Sequence, residues 1–207
     1  MLLKKLFVLI MFVLATAVSA NADTLYLNGV NGNVDLTGQA YISPYLGGLN
    51  DPNAMDNIYC VDPRHDSFLG TNWNVYVTPL DTNTVLSNTY LDDQQSYEEM
   101  AWLLFDTGFG TPSMPSSTQA AIQAAVWYIA DPSNSTGLGQ NNSWVATATA
   151  NYINGNYSGI YILSDINKTN QEFMIDPAPV PEPSTMLLLG SGLIGLVGYG
   201  RKKFFKK

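Results

Sequence analysis

Two side chains carry most of the chemistry that the chain can offer. Cys60 is the only cysteine. It stands in Ile58-Tyr59-Cys60-Val61-Asp62, a run with the apolar character of a strand and not that of an exposed Gly-rich loop. A single thiol makes an internal disulfide impossible and rules out a Cys-rich zinc site. Three fates remain open to it: an inert buried thiol, a bond to another molecule, or modification within its own domain. Further along, Gln123 stands in Ile122-Gln123-Ala124-Ala125-Val126-Trp127, amid the apolar residues of an Ala-rich, Trp-bearing helix. A buried carboxamide costs free energy unless its hydrogen bonds are met.

Other residues support weaker readings. The Asp-rich stretches from Asp51 to Asp56, from Asp62 to Asp66 and at Asp92-Asp93 offer oxygen ligands. None has the ligand spacing of an EF-hand loop, so they read as solvated acidic loops and no metal site is expected. His65 is the only histidine, which excludes multi-histidine zinc centres, and no Gly-x-Ser-x-Gly elbow stands in the soluble part to make a serine triad with it. Glu98 and Glu99 are adjacent on a predicted helix and point in different directions. They read as a negatively charged first turn before they read as a glycosidase pair. No cofactor is expected.

These residues need a scaffold, and the chain can build one. It has 207 residues, 46% of them hydrophobic and 12% aromatic, enough for one domain with a buried core. Residues 23 to 180 hold sixteen Asp and Glu against two bases, Arg64 and Lys168, a net charge of −14. So acidic a body repels phosphate backbones, and nucleic-acid binding is excluded as a function class. Thr24 to Leu27, Val34 to Ile42, Asn57 to Val61, Thr84 to Leu86, Gly159 to Leu163 and Glu172 to Ile175 read as strands. So does the stretch in which Trp73, Val75 and Val77 alternate with polar neighbours. Two helices are predicted between the early and late strands. The first is signalled by a capping box at Ser96 and Glu99, by Tyr97, Ala101, Leu104 and Phe105 at helical spacing, and by a stop at Gly108. The second opens at Ser116 and Gln119, turns Ile122, Ala125, Val126 and Ile129 to one face, and ends at Asp131-Pro132. The expected class is α+β, a β-sandwich-like domain carrying a helical insertion.

The two ends read as addresses. Residues 1 to 22 have the form of a secretory signal peptide: Lys4 and Lys5, an apolar stretch from Leu6 to Val18, and the small-residue site Ala20-Asn21-Ala22. The extracytoplasmic domain then covers 23–176, followed by a Pro-rich linker at 177–183. Residues 184 to 200 carry no charge and are apolar enough for a single transmembrane helix, close to the lower length limit of roughly 17 residues. Arg201, Lys202 and Lys203 open a basic tail, 201–207, expected on the cytoplasmic side. Pro181-Glu182-Pro183, then an apolar stretch, then a terminal basic cluster resembles the PEP-CTERM sorting signal of exosortase substrates. The resemblance implies a Gram-negative cell-surface or extracellular-matrix protein. It would be held first in the inner membrane through its C-terminal helix and then cleaved near Pro181 to Pro183 by an exosortase-like, transpeptidase-like partner enzyme.

Tyr59-Cys60-Val61 and Ile122-Gln123-Ala124-Ala125-Val126-Trp127 together resemble the paired motifs of bacterial thioester domains, found in surface adhesins. Met100-Ala101-Trp102-Leu103-Leu104, followed by Gly108, is similar to the helix between them. The resemblance covers roughly residues 55 to 175 by motif and order. It implies that the sulfur of Cys60 and the side-chain carbonyl of Gln123 form an internal thioester with loss of ammonia, in a water-excluding pocket lined by Tyr59, Trp127 and Tyr128. An amine or hydroxyl of a surface protein or polysaccharide would then displace the thiolate and remain attached to Gln123. That is single-turnover attachment and not enzymatic turnover, suited to adhesion or a biofilm matrix. His65 and Asp62 are near Cys60 in sequence, but nothing in the sequence names the base that would activate it. The rival reading, from the residues alone, is a non-covalent structural or glycan-binding matrix protein whose cysteine is inert core packing and whose Tyr and Trp side chains fill the core.

Overall fold

In the computed structural model the described residues are 22–32, 41–81, 86–133 and 142–176. Six strands occupy them: β1 Asp23–Val30, β2 Tyr45–Leu49, β3 Asp56–Cys60, β4 Thr71–Pro79, β5 Tyr161–Asp165 and β6 Phe173–Ile175. All neighbours pair antiparallel, in the order β1-β2-β3-β6-β5-β4, and β1 pairs again with β4, so the sheet closes on itself. The expected β-sandwich is therefore corrected to a closed six-stranded barrel. Alternation of apolar and polar residues fixes which face of a strand is buried. It does not fix which strands are neighbours, and here the double pairing of β1 removes the two edges that a sandwich would leave open.

Between β4 and β5 come the helices: α1 Gln94–Ala101, continued by a π-helical turn at Trp102–Asp106, then α2 Ser116–Ala130, then α3 Ser143–Asn151 with a 3₁₀ turn at Tyr152–Asn154. The capping boxes are not formed as expected. Asp93 stands at the N-cap of α1, with the Ser96 hydroxyl bonded to its carboxylate, and Pro115 stands at the N-cap of α2, where the Gln119 side chain donates to the Met114 carbonyl. Gly108 does follow the end of the π turn, at φ +75°. Helix α3, Ala- and Thr-rich and only nine residues long, carries too weak a periodicity to be read beforehand. Residues 34–40 of the expected strand from Val34 to Ile42, and residues 84–85 of the one from Thr84 to Leu86, lie outside the described residues. So do residues 1–21 of the signal peptide, the linker 177–183, the expected transmembrane helix 184–200 and the tail 201–207. Among the described residues no helix is long and apolar enough to cross a membrane.

Two apolar clusters follow from the side-chain alternation. Leu25, Leu27, Ile58, Cys60, Trp73, Val75, Leu163, Phe173 and Ile175 pack together as the filling of the barrel. Their sequence neighbours Ile162 and Met174 point the other way and join α1, the π turn and α2 in the second cluster, with Tyr97, Met100, Leu104, Ile122 and Val126. Strands β5 and β6 are thus covered on both faces, and accordingly Ile162 to Asp165 and Phe173 to Ile175 are all buried. The helical layer rests on that side of the barrel, which brings α2 to the end of β3.

The closure between β1 and β2 depends on a glycine. A Cβ on Gly47 would lie 2.1 Å from the Tyr26 carbonyl oxygen, whereas one on Gly70 would meet nothing within 4 Å and suffer only from its φ of +80°. Gly47→Ala is expected to lower unfolding stability by about 3 kcal/mol and Gly70→Ala by about 1 kcal/mol. Urea denaturation of both variants checks this, and equal losses would contradict so close an approach.

Candidate functional site

The β2–β3 ladder runs Tyr45↔Ile58, Leu46↔Asn57 and Gly47↔Asp56. Extended by two residues, the register would set Ser43 opposite Cys60, but the pairing of the two strands ends at Tyr45 and Ile58, just after the cis Ser43-Pro44 peptide. A side chain from the helical layer completes the missing rung. The Gln123 amide nitrogen donates to the Cys60 carbonyl at 2.9 Å, and its carbonyl oxygen accepts the Ser43 N–H at 3.1 Å. The Cys60 N–H closes the ring on the Ser43 hydroxyl oxygen at 2.8 Å. A primary carboxamide has the donor and acceptor of a peptide group, so it can replace one in a ladder. The amide's orientation is also fixed, because Ser43 offers only a donor there and Cys60 only an acceptor.

All three residues are buried: Ser43 and Cys60 at 0% exposure and Gln123 at 1%. Deleting the carboxamide would strand a buried N–H and a buried C=O, each at a cost of about 1–3 kcal/mol. The structure thus brings together the two residues singled out from the sequence, Cys60 at the end of β3 and Gln123 in the middle of α2. Cys60 is a free thiol whose Sγ–H donates to the Asp62 backbone carbonyl at 3.4 Å. Burial pushes its pKa up to about 12, partly offset by that hydrogen bond and by the indole of Trp127. At neutral pH it is therefore a protonated thiol, not a standing nucleophile.

The proposed pocket residues fall in different places. Trp127, one helical turn beyond Gln123, packs against both apolar clusters, bridging the barrel filling and the helical layer. Tyr59 points away from the barrel interior and packs on the rings of Phe105 and Phe109, at 5.0 and 6.0 Å between centroids. Tyr128 is half-buried on α2 and makes none of the hydrogen bonds of the ring. Neither His65 nor the Asp62 carboxylate reaches the sulfur. Those two groups bond each other, Nδ1 to Oδ2 at 2.6 Å, and Arg64 takes the other carboxylate oxygen. Among the described residues no group of three or more His, Cys, Asp or Glu side chains could hold a metal ion. Pro181, Glu182, Pro183, Arg201, Lys202 and Lys203 lie outside the described residues.

Two participants were not singled out beforehand. Ser43, in Tyr-Ile-Ser-Pro, carries no local signal of its role, since only the folded register sets it opposite Cys60. Glu172 had a signal, an acid at the head of an apolar strand run. It is 1% exposed and accepts the hydroxyls of Ser164 and Tyr97 and the backbone N–H of Tyr90. Its own carbonyl accepts the N–H of Val61, the residue after Cys60. Burial pushes its pKa up to about 7 against those hydrogen bonds, with Asp62 adding repulsion.

Against known families, a model of the PEP-CTERM protein-sorting motif matches residues 179–203. No curated protein and no solved structure matches the chain. The chain carries the C-terminal signal of exported proteins that are sorted at the membrane of Gram-negative bacteria and processed by exosortase.

The Glu172 carboxyl makes stability depend on pH in a definite direction. Its ordinary value is 4.5 and its folded value about 7, so between these the unfolded chain has lost a proton that the folded chain keeps. Stability should fall as pH rises from 4.5 to 7, by at most about 3 kcal/mol, and level off above. Urea midpoints across that range check it. Glu172→Gln should flatten the slope, and an unchanged slope in that variant would contradict the assignment.

Proposed function

We propose that this exported protein attaches covalently to a surface partner through an internal thioester between Cys60 and Gln123. The observation that carries the reading is the buried ring in which the Gln123 carboxamide sits against Cys60, the chain's one cysteine, with its oxygen already on a backbone N–H. Attack of Sγ on Cδ of Gln123 forms the C–S bond. Negative charge then collects on Oε1, where the Ser43 N–H stabilises it as an oxyanion donor does. Collapse of the tetrahedral intermediate breaks the C–N bond, the thiol proton goes to Nε2, and ammonia leaves. The raised pKa of the thiol slows the step, whereas fixed proximity favours it. Well-oriented intramolecular partners reach effective concentrations of about 10⁵ M or more.

The product is an acyl group much more electrophilic than the amide it replaces, kept from hydrolysis by its burial. A partner's amine or hydroxyl attacks the same carbon and its proton passes to the departing sulfur. Gln123 is left joined to the partner by an amide or ester, with the thiol restored. The protein acts once and does not turn over. After export, cleavage near Pro181 to Pro183 delivers the acidic domain to the cell surface or extracellular matrix, where such attachment serves adhesion.

Intact-mass measurement of the purified chain tests the chemistry. The expected mass is lower than calculated by one ammonia, methylamine should add to the protein, and both effects should vanish in Cys60→Ala. Full calculated mass with no adduct would overturn the proposal in favour of a non-covalent matrix protein with an inert thiol. The address is tested separately. Deleting residues 201–207 should leave the chain unprocessed in an exosortase-bearing host, and unchanged processing would contradict the sorting role of the tail.

A further inference from the structure

Helix α2 presents two polar groups to the end of β3 from positions one turn apart. Residues four apart on a helix share a face, so Gln123 and Trp127 point the same way. The carboxamide has its partners, but the indole does not. Trp127 Nε1 is buried and, among the described residues, has no hydrogen-bond acceptor. Buried donors are nearly always satisfied, and an exception calls for a reason. The indole packs against the barrel cluster that contains Cys60, and a hydrogen bond from it to that sulfur favours the anionic form. A neutral thiol is a poor acceptor and a thiolate a good one, so this N–H is unsatisfied only while the sulfur carries no charge.

We propose that the Trp127 indole N–H is a catalytic donor that stabilises the Cys60 thiolate each time the bond between Sγ and the Gln123 carbonyl carbon breaks. The proposal rests on the thioester reading and adds to it the group that governs how readily the bond opens. When an amine has added to the carbonyl carbon, the C–S electron pair departs onto Sγ and the indole donates a hydrogen bond to it without giving up its proton. The proton lost by the attacking ammonium then returns the sulfur to the thiol. The site so built has one donor for each developing charge, the Ser43 N–H at oxygen and the Trp127 N–H at sulfur.

The test compares opening of the wild-type thioester by methylamine with that in Trp127→Phe and in a chain carrying benzothienylalanine at position 127. That isostere keeps the bicyclic shape of tryptophan but has sulfur in place of N–H. Opening should slow about tenfold or more in both variants with the thermal midpoint of the isostere unchanged. Rates should also depend more steeply on amine basicity across methylamine, glycinamide and trifluoroethylamine, because expulsion of the sulfur has become the harder step. If the isostere opens at the wild-type rate with the wild-type dependence, the role of Trp127 is overturned while the thioester stands. If the wild-type chain shows no loss of ammonia, both fall together.

Discussion

A side-chain amide standing in for a rung of the β-ladder is the constraint around which this domain is arranged. Where β2 and β3 part, Ser43 and Cys60 would each bury an unpaired backbone group, and Gln123 meets both with one carboxamide. The requirement is strict in geometry and chemistry. The group must come from the helical layer, reach through to the strand end, and offer one donor and one acceptor at the spacing of a peptide. A hydrocarbon leaves two polar atoms unsatisfied, and a carboxylate presents an acceptor to an acceptor. Such a satisfied link explains why a glutamine is stable in an apolar interface, and it leaves the carboxamide beside the residue that bears the sulfur.

The rest of the fold serves that contact. Closing the sheet buries the inner face of β5 and β6, and the helical layer covers their outer face and sets α2 on the end of β3, so Cys60 has the barrel filling on one side and the helices on the other. Polar groups close the same end. The Asp62 carbonyl accepts a hydrogen bond from the thiol, while its carboxylate is occupied by His65 and Arg64. Glu172 ties Tyr90, Tyr97 and Ser164 together beside Val61. Burial makes the thiol hard to ionise and would shield an acyl bond formed there. The property that makes Cys60 inert as a free thiol is therefore the one a lasting thioester needs.

Much of the site was legible in the sequence, and the architecture less so. Cys60 and Gln123 stood out because each was of a type that fits its surroundings badly, a lone thiol in an exported chain and an amide on an apolar helix. Helix α2 followed from its spacing, and β1, β3 and β4 from alternation or apolar runs. Barrel closure could not be read, because pairing partners are set by three-dimensional register: the run from Glu172 to Ile175 reads as a strand, but nothing in it says that it joins β3 to β5. Ser43 escaped for the same reason. Its part is played by a backbone N–H, which every residue but proline possesses, so no residue type marks it.

Electron density at the end of β3 in crystals of the protein recovered after export would test the covalent account most directly. The account predicts continuous density from Cys60 Sγ to Gln123 Cδ at bonding distance, with the oxygen still on the Ser43 N–H and no nitrogen on the Cys60 carbonyl. An intact carboxamide bonded to Cys60 beside a free thiol, in protein never exposed to an amine, would contradict it.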